Sequence, residues 1–153
     1  GGDSNIDLNI TPKGTGRVTL GAGKIQQLAE KVTIAATGTT GTVNYDLITQ
    51  AVLYHTSAAA GNFTVNVRGD GSTTLNSIMD TGESVTFAFL VTNTGTPYYQ
   101  SAFTVDGSSV TPEYQGGSAP TSGNANSVDI YTYTVVKTGD AAFTAFASQT
   151  QFA

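Results

Sequence analysis

An all-β fold, best described as an antiparallel β-sandwich, follows from three features of this sequence. Short runs alternate apolar and polar residues, eighteen glycines punctuate those runs, and charged residues make up only 11% of the chain. Alternation with period two places every second side chain on one face of a strand. Thr, Val, Ile, Tyr and Phe suit a pleated, half-buried surface, whereas the helix formers Lys, Glu and Leu are sparse here. Many short strands between Gly-rich turns, with no amphipathic helix, indicate a sandwich or a barrel. A jelly-roll connection is one of several Greek-key orders that fit. At 153 residues and 39% apolar content the chain can bury one genuine core.

Ile6, Leu8 and Ile10 alternate along a first strand that Pro12 ends. Gly14 and Gly16 then allow a tight turn into Arg17-Val18-Thr19-Leu20, so residues 6–20 read as a short hairpin. A lone hairpin is marginal in water and needs partner strands, from this chain or from identical neighbours. A brief helical turn is expected over 25–30, then a strand at 31–35. Residues 43–47 alternate and continue into 51–54, with a bulge or bend near Ile48. Further strands are expected at 63–67, 84–92, 99–105 and around Val110, with Gly69-Asp70-Gly71 as a turn and 75–79 as an irregular crossing. Phe87 and Phe89 share a face. Residues 115–127 are almost wholly small and polar, which suits an exposed excursion. Strands over 128–136 and 142–147, joined at Lys137-Thr138-Gly139-Asp140, complete the fold.

Composition also narrows the function classes. Six Lys and Arg against eleven Asp and Glu give a net charge of -5, with no basic face for phosphates, so neither nucleic acid nor an anionic membrane is an expected partner. No run approaches the roughly 20 apolar residues of a membrane helix, so no membrane insertion is expected. Cys is absent, which removes disulfides and thiolate metal sites. No cofactor and no metal site is expected.

Catalysis finds little material. His55 is the single histidine, and no Gly-X-Ser-X-Gly pattern marks a nucleophile. Asp46, Asp80, Glu83, Asp106, Glu113 and Asp129 could pair for glycoside hydrolysis, but Asp beside Gly, as in Asp106-Gly107, is the ordinary chemistry of a turn. Arg68-Gly69-Asp70 matches an integrin-binding tripeptide, yet Gly69 and Gly71 are what a turn after residues 63–67 requires. The expectation is a protein that is not an enzyme.

Ser127-Val128-Asp129-Ile130-Tyr131-Thr132-Tyr133-Thr134-Val135-Val136-Lys137-Thr138, with Ala147-Ser148-Gln149-Thr150-Gln151-Phe152, resembles the C-terminal end of tail-fibre-like and other virion structural proteins of marine tailed phages, including those of cyanobacteria. The opening Ile6-Asp7-Leu8-Asn9-Ile10-Thr11-Pro12-Lys13-Gly14-Thr15-Gly16-Arg17-Val18 is similar to the short β-repeat along shafts of such fibres. The likeness spans nearly the whole chain. It implies a homotrimeric β-rich appendage on the virion surface, alongside other virion proteins, with residues 1–23 as a stalk-like β junction and 24–153 as a head. Its role would be attachment to a host-surface glycan or protein. A capsid-attached decoration protein or head fibre is the alternative, and a virion-associated glycan-degrading enzyme a second one. Only one copy of the shaft motif occurs, which departs from a full fibre and leaves fragment, free-standing module and capsid-bound relative all open.

Aromatic faces beside amides suit sugars, joining stacking to directional hydrogen bonds. Tyr98 and Tyr99 after the Pro97 turn, Tyr114 ahead of the polar loop, and Asn124 and Asn126 within it are therefore the receptor-contact candidates. Tyr131 and Tyr133 alternate along one strand and are expected in the core or at a subunit interface.

Overall fold

The computed structural model describes residues 28–152 together with Val18, Gly21 and Gln26. The hairpin expected over 6–20 and the junction 1–23 therefore lie outside the described residues, apart from Val18 and Gly21. Within them the chain forms β1 (Val32–Ala35), β2 (Gly41–Asp46), β3 (Val52–Ala58), β4 (Phe63–Arg68), α1 (Leu75–Ile78), β5 (Ser84–Thr92), β6 (Gln100–Val105), β7 (Ser108–Ser109), β8 (Glu113–Tyr114), β9 (Val128–Gly139) and β10 (Ala142–Phe152). Among the described residues the protein is all-β apart from one helical turn and a 3-10 turn at Gln115–Gly117. Two sheets hold the strands, in the orders β1-β3-β5-β9-β10-β8 and β2-β4-β6-β7.

The expected antiparallel pairing is corrected. β1 with β3, β3 with β5, β2 with β4, β4 with β6 and β10 with β8 all run parallel, and only β5 with β9, β9 with β10 and β6 with β7 run antiparallel. The cause lies in the connections. From β1 to β6 each strand joins the sheet opposite its predecessor, so strands two apart in sequence become neighbours pointing the same way. Five residues, 36–40, link β1 to β2. Such a link reaches roughly 16 Å, more than the ~10 Å between packed sheets, so no long crossover is needed. The bend expected near Ile48 is this kind of crossing: residues 47–49 turn on backbone bonds from Thr49 and Gln50 N–H to Asp46 O, and 43–54 is two strands in two sheets.

Inward-facing residues of both sheets share one core. Tyr45 of β2 lies 4.4 Å, centroid to centroid, from Phe87 of β5, Phe87 lies 5.2 Å from Tyr133 of β9, and Tyr133 lies 4.9 Å from Phe103 of β6. Phe63 of β4 meets Phe89 and Tyr131 edge-on at 5.6 and 5.7 Å. Each such contact is worth about 0.5–1.5 kcal/mol beyond its buried area. Tyr131 and Tyr133 are thus core residues.

Two smaller expectations also change. Leu28 to Glu30 carry no helix, and the rest of the turn expected over 25–30 is outside the described residues apart from Gln26. The irregular crossing at 75–79 is instead α1, a single turn held from three sides. Thr74 Oγ1 accepts from Ser77 N–H, Asp106 accepts from Leu75 and Asn76 N–H at 2.6 and 2.9 Å, and the buried Lys137 Nζ donates to Asn76 O and Met79 O at 2.6 and 2.8 Å.

Candidate functional site

One end of the molecule gathers polar groups around a buried carboxylate. β9 carries its apolar inner residues at alternate positions, and that same alternation turns Asp129 inward, where it is fully buried. A lone carboxylate there needs donors. Asn124 N–H donates to both oxygens at 3.3 and 3.1 Å, and Asn93 Nδ2 and Gln149 Nε2 donate to Oδ2 at 3.1 and 3.2 Å. Burial holds the Asp129 carboxyl above the usual carboxylate range, with the donors from Asn124, Gln149 and Asn93 pulling the other way.

The network runs on from there. Gln149 Nε2 also donates to Tyr131 Oη at 3.1 Å, the Tyr131 hydroxyl accepts from Gln100 N–H at 3.3 Å, and the Gln100 side chain bonds Tyr114 Oη at 3.1 Å. Burial pushes the phenols of Tyr131 and Tyr114 up, so both stay neutral hydroxyls. On the other side Asn93 Nδ2 donates to Tyr98 O and Asn93 Oδ1 accepts from Tyr98 N–H. Ser122 O accepts from the amides of Gln149 and Gln151, which clamps the polar loop against β10.

Three of the five receptor-contact candidates are tied directly into this assembly, and Asn126 and Tyr99 adjoin it. Tyr98 packs its ring against the core while its backbone serves Asn93. Tyr114 spends its hydroxyl on Gln100, and borders an open groove of about 330 Å3 with Glu113, Phe146 and Ser148. Asn124 is committed to Asp129 and, through Nδ2, to Phe152 O. Asn126 is exposed, has φ 55, and donates its N–H to Thr94 O. Tyr99, the fifth, is partly exposed and its N–H meets Asn62 Oδ1 at 3.2 Å.

Residues that the sequence reading passed over hold the site together. Asn93, Gln100 and Gln149 carry no motif, and only strand parity, which aims Asp129 and Gln149 to the inner side, could have drawn attention to them. Gly123 is the other one. A Cβ there would sit 2.3 Å from Tyr98 O, 2.7 Å from Asn93 Nδ2 and 2.9 Å from Asp129 Oδ2, so only glycine lets the loop close over the network.

The remaining candidates have structural occupations. His55 is buried inside β3 with Nδ1 2.7 Å from Thr37 O and its ring edge-on to Phe89. Arg68 pairs with Asp46 at 2.6 Å, and Asp70 accepts from Ser72 N–H, a bond that holds its carboxyl below the usual value. Of the Arg-Gly-Asp triplet, the Arg68 side chain is thus held across β4 and β2, and the Asp70 side chain in the turn after β4. The Asp106 carboxylate holds the start of α1, and Glu83 accepts from Asp80 N–H. Comparison with protein-family models, with curated proteins and with solved structures found no match to this chain.

Proposed function

We propose that this chain is a non-enzymatic structural and recognition module of a tailed-phage particle, the distal part of a fibre, which attaches to a host-surface glycan or protein. In this reading the two layers form a β-sandwich head, residues 1–23 join it to a stalk, and three copies assemble on the virion surface with other virion proteins. The observation that carries the recognition half is the loop held by Asp129: a mostly exposed polar segment fixed at 122–124 by side chains of β9 and β10. Rigid presentation lowers the ordering cost of binding. Tyr99 and Asn126 are the groups that this network leaves free to meet a receptor, and multivalency among copies would strengthen weak single contacts.

Gold-labelled antibody against this chain, applied to intact particles, tests the reading. Label at fibre tips is the expected result. Label on the capsid would replace the fibre with a decoration protein, and unlabelled particles would remove the virion role. Incubation with host polysaccharide tests the enzymatic alternative, with no released oligosaccharide expected and release overturning a pure binding role.

A further inference from the structure

The two sheets differ on their solvent sides. On the outer face of β2–β4–β6 the polar side chains are bonded to one another: Asn66 Nδ2 to Asn44 Oδ1 at 2.8 Å, Thr104 Oγ1 to Asn66 Oδ1 at 2.7 Å, and Arg68 to Asp46. That is a surface finished for water.

The outer face of the larger sheet is built otherwise. Its register sets Ile34 beside Tyr54, Tyr54 beside Leu90, and Leu90 beside Ile130, one apolar row across four strands. Val32, Val52 and Ala88 form the start of the adjacent row, and Thr132 and Ser148 finish it. Ile34 is 59% exposed and Val32 42%. Scattered apolar residues on a surface are normal, but a contiguous patch marks an interaction site. Neither row carries a charged side chain.

We infer that this outer face, centred on the Ile34–Tyr54–Leu90–Ile130 row, is covered by a second copy of this chain. Two observations select the occupant. The chain's net charge is -5, which sets charged surfaces of two copies against each other, whereas the two apolar rows bring no charge into the contact. The area fits as well. Strands of 4, 7, 9, 12, 11 and 2 residues, at roughly 3.3 Å per residue and spaced about 4.8 Å apart, span about 700 Å2, close to the ~800 Å2 each partner contributes to a stable interface. A neighbouring copy laid over this face would bury the row as a sandwich interior does. The contact rests on the oligomeric half of the proposed function and stands without its receptor half or its virion origin.

Light scattering on the full chain, from low micromolar concentration upward, tests it with Ile34→Glu, Leu90→Glu and, on the other sheet's outer face, Thr42→Glu. The expected result is a wild-type mass two or three times that of one chain, the same mass for Thr42→Glu, and a fall to single-chain mass for Ile34→Glu. Ile34 is exposed in the single chain, so its substitution leaves the fold intact even where Leu90→Glu does not. A monomeric wild type at every concentration, or an oligomer that Ile34→Glu leaves unchanged, would overturn the inference. Receptor failure reads differently: an oligomer whose particles no longer bind host cells after Tyr99→Ala loss would concern only the loop.

Discussion

Three side-chain and backbone amides converge on Asp129, and the balance between those bonds and burial decides how the site responds to pH. An unfolded aspartate titrates near about 3.9, and burial lifts Asp129 above that in the fold. The folded state therefore holds this proton more tightly than the unfolded state. Its stabilising contribution is complete below the unfolded value and is lost as pH rises through the folded one. Asp129→Asn cannot ionise and lacks that slope. Urea midpoints taken between weakly acidic and neutral pH should show the wild type losing ground to Asp129→Asn as pH rises above the ordinary aspartate range. A wild type that gains on the variant there would mean that the amide donors outweigh burial. Gly123 belongs to the same balance, because any side chain at that position would push the loop off the carboxylate it helps to bury.

At the scale of an element, α1 is the informative case. Four residues are too few to be helical on their own, since the first turn fixes several dihedrals for a single hydrogen bond. Tertiary partners supply the rest: Asp106, from the turn between β6 and β7, takes two N–H groups at its start, and Lys137 of β9 takes carbonyls at its end. Asp106→Ala should cost about 1–2 kcal/mol, in the range of lost helix caps, read as a lower urea midpoint with faster amide exchange at Leu75 and Asn76. An unchanged midpoint would mean that water replaces the carboxylate there. The two distant partners, 31 and 61 residues away, are why the sequence showed only an irregular crossing here.

For the whole molecule, the parallel coil of strands has kinetic consequences. Val32 pairs with Val52, and Val52 with Ala88, so the sheet cannot form from neighbouring segments alone. Loop closure must precede the contacts that reward it, and chains of this kind refold in roughly milliseconds to seconds. Stopped-flow refolding should give that range; completion within microseconds would contradict a fold dominated by distant pairings. The same topology explains the seam between the two halves of the larger sheet. β9 and β10 form a hairpin across Gly139–Ala142, with Ala141 at φ 48, and that hairpin docks antiparallel on β5 where the parallel coil ends.

Among the described residues, sequence by itself determined most of the strands and which side of each faces the core, because alternation is a local property: Phe87 and Phe89, or Tyr131 and Tyr133, share a face wherever their strand lies, whereas the two-residue β7 and β8 are too short to show it. It also located the turn at Asp106-Gly107, and placed the one at Asp140-Ala141 a few residues early, because their backbone demands are local too. Tertiary structure alone decided that strands two apart become neighbours, since a five-residue link serves equally for a return beside its own strand or a crossing to the opposite sheet. It alone gathered Asn93, Gln100, Asn124, Asp129 and Gln149 into one network: Asn93 and Asp129, 36 residues apart, meet only once β5 pairs with β9, and Gln100 reaches Tyr131 only from the other sheet.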